Sequence, residues 1–344
     1  MKRLLNTLYI TTVGASGRKD GENFVVELDG EERTRVPLHL LAAVVVFGGA
    51  YLSPPLIQAC AAGGIVVTLL DRVGRFQARI EGPTTGNVLL RRAQYTAAGT
   101  PDAIVRGLVI GKVANQRSVL MRALRDHGGD LEADKTTALA AAAERLARIL
   151  RRASLSTEGC EALRGDEGEA ATVYFAAFDS LIRTADPAMR FHGRSRRPPL
   201  DAVNALLSFL YTLLTHDCRS AAESVGLDPA VGFLHRDRPG RPSLALDLME
   251  ELRPVLADRL ALSLINRRQL GPSDFEARDG GAVLLSDTAR RTVLTAWQER
   301  KKSERRHPFL DEAAPLGLVP YLQAQLLARH LRGDLDAYPS WIWK

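Results

Sequence analysis

Up to residue 80 the apolar positions come in short β-branched runs, at 8–13, 24–28, 44–47, 65–70 and 75–80, separated by polar and glycine-rich stretches. Such runs read as strands. Asp29-Gly30 and Gly48-Gly49 supply turns, and Ser53-Pro54-Pro55 opens one short helix that Gly63-Gly64 closes. After Glu81-Gly82-Pro83 the period changes to helical, with apolar stripes predicted over 101–126, 131–152, 166–183, 201–225, 243–268, 287–302 and 312–331. Between the stripes at 243–268 and 287–302, Asp279-Gly280 sits amid two short extended runs and predicts a hairpin over 275–285. The expected architecture is α+β: a small β-rich domain at 1–82, then a large all-α domain at 83–344 whose stripes bury against one another.

Composition narrows the classes. A chain of 344 residues, 46% hydrophobic, has material for two packed domains. No apolar run is long enough to span a bilayer and the polar Asn6-Thr7 cuts short any signal-like start, so a cytoplasmic, non-membrane protein is expected. Cys60, Cys160 and Cys218 stand far apart and form neither a zinc motif nor a disulfide framework. The net charge of +6 is modest, but only seven of the 46 cations are lysines; a GC-rich genome explains the arginine excess as well as phosphate binding does. Phosphate-loop, dinucleotide, zinc-protease and hydrolase-elbow motifs are absent, which removes the simplest nucleotide-driven and hydrolytic readings.

The richest segment for chemistry runs from 231 to 254. His235 leads into the loop carrying Arg236, Arg238 and Arg241; Ser243 then stands where an N-cap is expected, and Asp247, Glu250 and Glu251 follow at helical spacing on one face. Acids early in a helix also simply complement its dipole, and a lone histidine is more often structural than a ligand. Arginine forks beside clustered carboxylates favour a cation site near phosphate. A second acidic cluster, Asp166, Glu167 and Glu169, opens another expected helix, and spacing does not choose among the three. The loop 190–199 gathers Arg190, His192, Arg194, Arg196 and Arg197 within eight residues, which fits either a solvated loop or phosphate contact.

Four ordered motifs carry a resemblance that covers essentially the whole chain: Glu-Gly-x-Ala-Ala-x-x-Tyr-Phe at 167–175, Arg-Pro-Pro-x-Asp-x-Val-Asn-Ala-Leu-Leu-Ser-Phe at 197–209, Gly-Leu-Asp-Pro-x-x-Gly-Phe-Leu-His at 226–235, and Leu-Asp-Leu-Met-Glu-Glu-Leu-Arg-Pro at 246–254. With these the chain resembles the integrase and endonuclease of CRISPR spacer acquisition, the Cas-one family. The resemblance implies Mg²⁺ or Mn²⁺ on Glu167, His235 and Glu250 as catalytic ligands, with Asp247 a weaker candidate acid; Asp166, where an apolar residue is expected, departs from the pattern. It also implies double-stranded DNA, prespacer and repeat, as substrate, a homodimer built through the β-rich domain, and a Cas-two partner; a Cas-four processing nuclease stays open. Arg194, Arg196, Arg197, Arg236, Arg238 and Arg241 are the candidate DNA contacts. The ending Tyr-Pro-Ser-Trp-Ile-Trp-Lys and the insert at 237–241 are similar to type I-C members. A branched-DNA repair nuclease and a non-catalytic helical DNA-binding scaffold are the rival readings.

Overall fold

In the computed structural model the described residues are 6–71, 76–82 and 88–343. The chain start, Arg75 and Pro83, which bore on the expectations above, lie outside them. The chain divides into two compact units, 1–86 and 87–344.

The first unit contains β1 (Asn6–Ile10), β2 (Ser16–Asp20), β3 (Asn23–Leu28), β4 (Glu31–Pro37), β5 (Leu41–Phe47), β6 (Tyr51–Leu52), α1 (Pro54–Ala62), β7 (Val66–Leu70) and β8 (Phe76–Ile80). One sheet has the order β1-β5-β7-β8, parallel except for β8; the other has the order β4-β3-β2-β6. Phe24, Val44, Val46, Leu56, Cys60 and Val67 share one core, so both sheets and α1 bury their apolar faces together. Gly17 is needed there, since a Cβ would come within 2.7 Å of Leu52. The two-residue β6 was not foreseen, nor were β2 and β4. The residues of β2 and β4 are mostly charged, and cross-strand pairs such as Arg18 with Glu27 (2.7 Å) and Arg35 with Asp20 (2.8 Å) line the open face.

The second unit is helical: α2 (Val88–Ala98), α3 (Asp102–His127), α4 (Ala133–Leu155), α5 (Cys160–Ala176), α6 (Ala202–Ser224), α7 (Ser243–Arg253), α8 (Arg259–Asn266), then the hairpin β9 (Phe275–Ala277) and β10 (Val283–Leu285), α9 (Asp287–Lys302), a hairpin of β11 (Glu304–Arg306) and β12 (Ala313–Pro315), and α10 (Val319–Leu331). Helix α3 is the axis, packed by α4, α5 and α7 and buried along most of its length. The expectation of one helix over 243–268 is corrected. Pro254 has no N–H to give the preceding turn, and the chain passes through a wide turn, Pro254–Asp258, in which Arg259 N donates to the carbonyl of Pro254, five residues back. The last helix begins at Val319 rather than 312 because β12 takes the residues before it. Helix α2 was missed from sequence.

Candidate cation centre

Helix α5 starts at Cys160, so the acids at 166–169 lie inside it, and the reading of them as N-terminal dipole partners is corrected. The helix separates them. Arg152 of α4 takes both Asp166 and Glu169, while Glu167 turns to the Lys112 ammonium on α3. Lys112 also reaches Glu250 of α7 at 2.6 Å, and its side chain is only 1% exposed. Two carboxylates from two helices therefore share one cation.

His235 stands at the edge of this group, with Nε2 3.9 Å from Glu250 Oε1. Its loop is held from both sides. The fully buried Asp247 carboxylate accepts from the backbone N–H groups of Phe233 (2.6 Å), Leu234 (3.0 Å) and His235 (2.9 Å), and from His235 Nδ1 (2.6 Å). From α5, Arg164 donates to the carbonyls of Leu234 (2.8 Å) and Phe233 (2.9 Å). Gly232 permits the close approach, because a Cβ would lie 2.9 Å from Asp247 Oδ2 and 2.7 Å from Ser243 Cβ. With Nδ1 donating to Asp247, Nε2 keeps the lone pair and faces the Glu250 carboxylate. Asp247 is thus an orienting group for His235 in this geometry.

Burial alone would raise the Glu250 carboxyl, but Arg253 and Lys112 hold it down at about 2. Arg253 pairs with Glu250 and lies over the Tyr211 ring at 5.0 Å; the Tyr211 hydroxyl in turn donates to Asp258 at 2.6 Å. Behind the charged group is therefore a second buried layer.

Other expectations are redrawn. Ser243 makes no cap; it is buried inside α7, and its hydroxyl donates to the carbonyl of Arg236 at 3.3 Å. Glu251 does not join Asp247 and Glu250: it accepts from Gln323, Tyr338 and the Trp341 N–H, and burial pushes it up to about 7. Arg194 turns inward to Asn204 (2.6 Å) and over Tyr211 (5.2 Å), whereas Arg196, Arg197, Arg236 and Arg238 are exposed and Arg241 is half-buried. Arg236 pairs with Glu161 at 2.9 Å. Sequence reasoning missed Lys112, Arg164 and Arg253; for Lys112 the available signal was a lysine set among the apolar residues Leu108, Val109, Ile110 and Val113.

Among the described residues no three His, Cys, Asp or Glu side chains already close on a common point. The ammonium of Lys112 takes the place between the two carboxylates. Two hard oxygens converging on a cation, with a lone-pair imidazole beside them, form a donor set that fits Mg²⁺ or Mn²⁺.

The family model described as CRISPR associated protein Cas1 matches residues 8–299. The chain belongs to the Cas1 family. It is 71% identical over 344 residues, the full length of both, to the CRISPR-associated endonuclease Cas1 2 of Rhodospirillum rubrum, and 52% identical over 347 residues, again full length, to Cas1 1 of Chlorobaculum tepidum. A Cas4/Cas1 fusion of Rhodospirillum rubrum is 38% identical over 97% of this chain and 57% of the fusion. Among solved structures, the Cas1 fold recurs in a Cas6-RT-Cas1–Cas2 complex (TM-score 0.82, 24% identity, 100% of this chain and 36% of that one) and in a casposase bound to integration product (TM-score 0.79, 19% identity, 99% and 95%). No helix among the described residues is long and apolar enough to cross a membrane.

Proposed function

We propose that this Cas1 family member is a divalent-metal-dependent DNA integrase and endonuclease of CRISPR adaptation, acting through Glu167, His235 and Glu250. The observation that carries the reading is the pair of carboxylates from α5 and α7 that share the Lys112 ammonium beside the His235 lone pair. The reaction is a transesterification: a prespacer 3′-hydroxyl oxygen bonds to a repeat phosphorus, the bond to the repeat's own 3′-oxygen breaks, and that oxygen takes up a proton. One phosphodiester replaces another, so no nucleotide is hydrolysed.

Asp247 keeps the imidazole of His235 in one orientation with Nε2 free, and Arg253 fixes the Glu250 carboxylate from its other side. When bound at these donors, Mg²⁺ or Mn²⁺ would neutralise charge on the phosphate and help activate the hydroxyl. Arg196, Arg197, Arg236, Arg238 and Arg241 are the proposed phosphate contacts; the inward turn of Arg194 gives it a supporting part. A homodimer through the β-rich unit and a Cas2 partner supply the two spaced centres that joining both prespacer ends requires. The Cas1–Cas2 complex of like fold supports that partner, the Cas4/Cas1 fusion supports a Cas4 partner, and the aromatic C-terminus supports a type I-C system.

A joining assay on supercoiled array DNA tests the reading. Glu167→Ala, His235→Ala and Glu250→Ala should each abolish strand joining while prespacer binding persists; wild-type joining by any one of them removes that residue from the centre. A repair nuclease would give shortened strands without new joints, and a non-catalytic scaffold would bind DNA with no response to metal.

A further inference from the structure

A group of guanidiniums in the helical unit lies away from the carboxylates, around Trp343. Arg259, the first residue of α8, sets its guanidinium 4.2 Å from the Trp343 ring centroid, and Arg122 of α3 sets its own at 5.0 Å. Arg300 of α9 reaches the same turn, donating to the carbonyl of Val255 at 2.6 Å, while its buried Nε finds no hydrogen-bond partner. The Arg259 guanidinium has no hydrogen bond or ion pair among the described residues; its contact is with the Trp343 ring. The acid at hand is Asp126, already engaged by Arg122 (3.1 Å) and Arg125 (3.0 Å).

Three half-buried guanidiniums repel one another, and a structure tolerates this where an anion repays it. Burial together with the neighbouring arginines lowers both Arg259 and Arg300 to about 10. Arginine does not shed its proton at ordinary pH, so the remedy is an anion. A guanidinium lying on an indole has its faces occupied and its N–H edge free, the edge that meets phosphate oxygens in pairs.

We propose that Arg122, Arg259 and Arg300 around Trp343 form a second phosphate-binding site, which holds the backbone of a DNA strand apart from the cation centre. The inference rests on the DNA reading above and adds a subsite to it. Lys112 and Arg122 are ten residues apart on α3, which is about 15 Å along the helix axis, a distance that a few nucleotides cover. The site would thus grip the strand beyond the reacting phosphodiester.

The test measures binding of fluorescein-labelled duplex DNA by anisotropy across a salt series in EDTA, for the full chain and for Arg259→Gln and Arg259→Gln/Arg300→Gln. If each arginine contacts one phosphate, the double variant loses roughly 60-fold in affinity at 0.1 M salt and its log–log salt slope falls by about 1.8, the single variant showing about half that slope change. Arg259→Gln removes no hydrogen bond but gives up the Trp343 contact, so the thermal midpoint is measured beside binding, and a loss of affinity in a variant still folded at the assay temperature cannot be blamed on unfolding. Unchanged affinity and slope in both variants would overturn the proposal, as would protection of the wild type by millimolar inorganic phosphate with no effect of the variants on DNA. Metal-free binding is read throughout, so a failed joining reaction would count against the cation centre and leave this result standing.

Discussion

Replacing Lys112 by Met should weaken the metal-free protein and at the same time strengthen its hold on metal. The ammonium is buried against Glu250 at 2.6 Å and against Glu167, so its loss leaves two carboxylates without their shared counter-ion. Breaking a buried ion pair from one side costs about 3–5 kcal/mol. The low end applies here, because Arg253 still pairs with Glu250 and the Glu167 side chain, 26% exposed, can turn to water. For 344 residues, at about 2.1 cal/mol/K of unfolding entropy each, about 3 kcal/mol lowers the thermal midpoint by roughly 4 °C. A divalent cation that must displace an ammonium about 4 Å away works against a repulsion of roughly 8 kcal/mol at an effective dielectric of 20. Most of that is relieved as Lys112 swings aside in the wild type, so we expect Mn²⁺ affinity to rise by at least about tenfold in Lys112→Met. Thermal unfolding in EDTA and in Mn²⁺, beside calorimetric titration, reads both effects: a drop in EDTA that Mn²⁺ restores, and tighter binding. A variant as stable as wild type in EDTA, or one that binds Mn²⁺ more weakly, would refute the idea that Lys112 occupies the cation position.

Two further outcomes follow from the buried polar groups. Burial pushes Asp258 up to about 6 from 3.8, against the pull of Tyr211 and Arg253, so the folded state keeps a proton that the unfolded state releases. Stability from this group is therefore full below pH 3.8 and falls as pH rises to 6, by up to about 3 kcal/mol; Asp258→Asn should flatten that stretch of a Tm-against-pH curve, and an unaltered slope would reject the assignment. Asn115 donates to the carbonyls of Glu251 (2.7 Å) and Trp341 (2.9 Å) and accepts from Trp343 N (2.7 Å), tying the C-terminal strap to α3 and α7. Asn115→Ala should cost about 3 kcal/mol and expose the tail to carboxypeptidase, whereas a tail as resistant as wild type would show that the strap holds without it.

How much of this was readable in the sequence depended on whether a residue's partner was near in the chain. β-branched runs and the Asp-Gly turns announced β3, β5, β7 and the β9–β10 hairpin, because strand propensity and turn chemistry are local. Charged β2 and β4 are strands only because β3 lies between them. At the centre, the spacing of Asp247, Glu250 and Glu251 put three acids within one turn, yet α7 is buried on nearly all sides, so each acid meets a different neighbour. Glu250 meets Lys112, Asp247 meets the His235 loop, and Glu251 meets the C-terminal strap. The motif resemblance named Glu167 where spacing could not, and the structure adds the reason it differs from Asp166 and Glu169: it faces α3, and they face α4.

The wide turn at Pro254–Asp258 also acts as a phase shift. One extra residue in a helical path rotates everything after it by about 100° relative to an unbroken helix. Without that offset, the side of α7 that presents Glu250 and the side of α8 that lays Arg259 on Trp343 would be locked to a single azimuth. Shortening the turn by one residue would keep the helix and most of its hydrogen bonds, but it would swing Asp258 away from Tyr211 and Arg259 away from the indole. The two charged sites of the helical unit are thus set relative to each other by a count of residues, and length at this point is under as tight a constraint as identity.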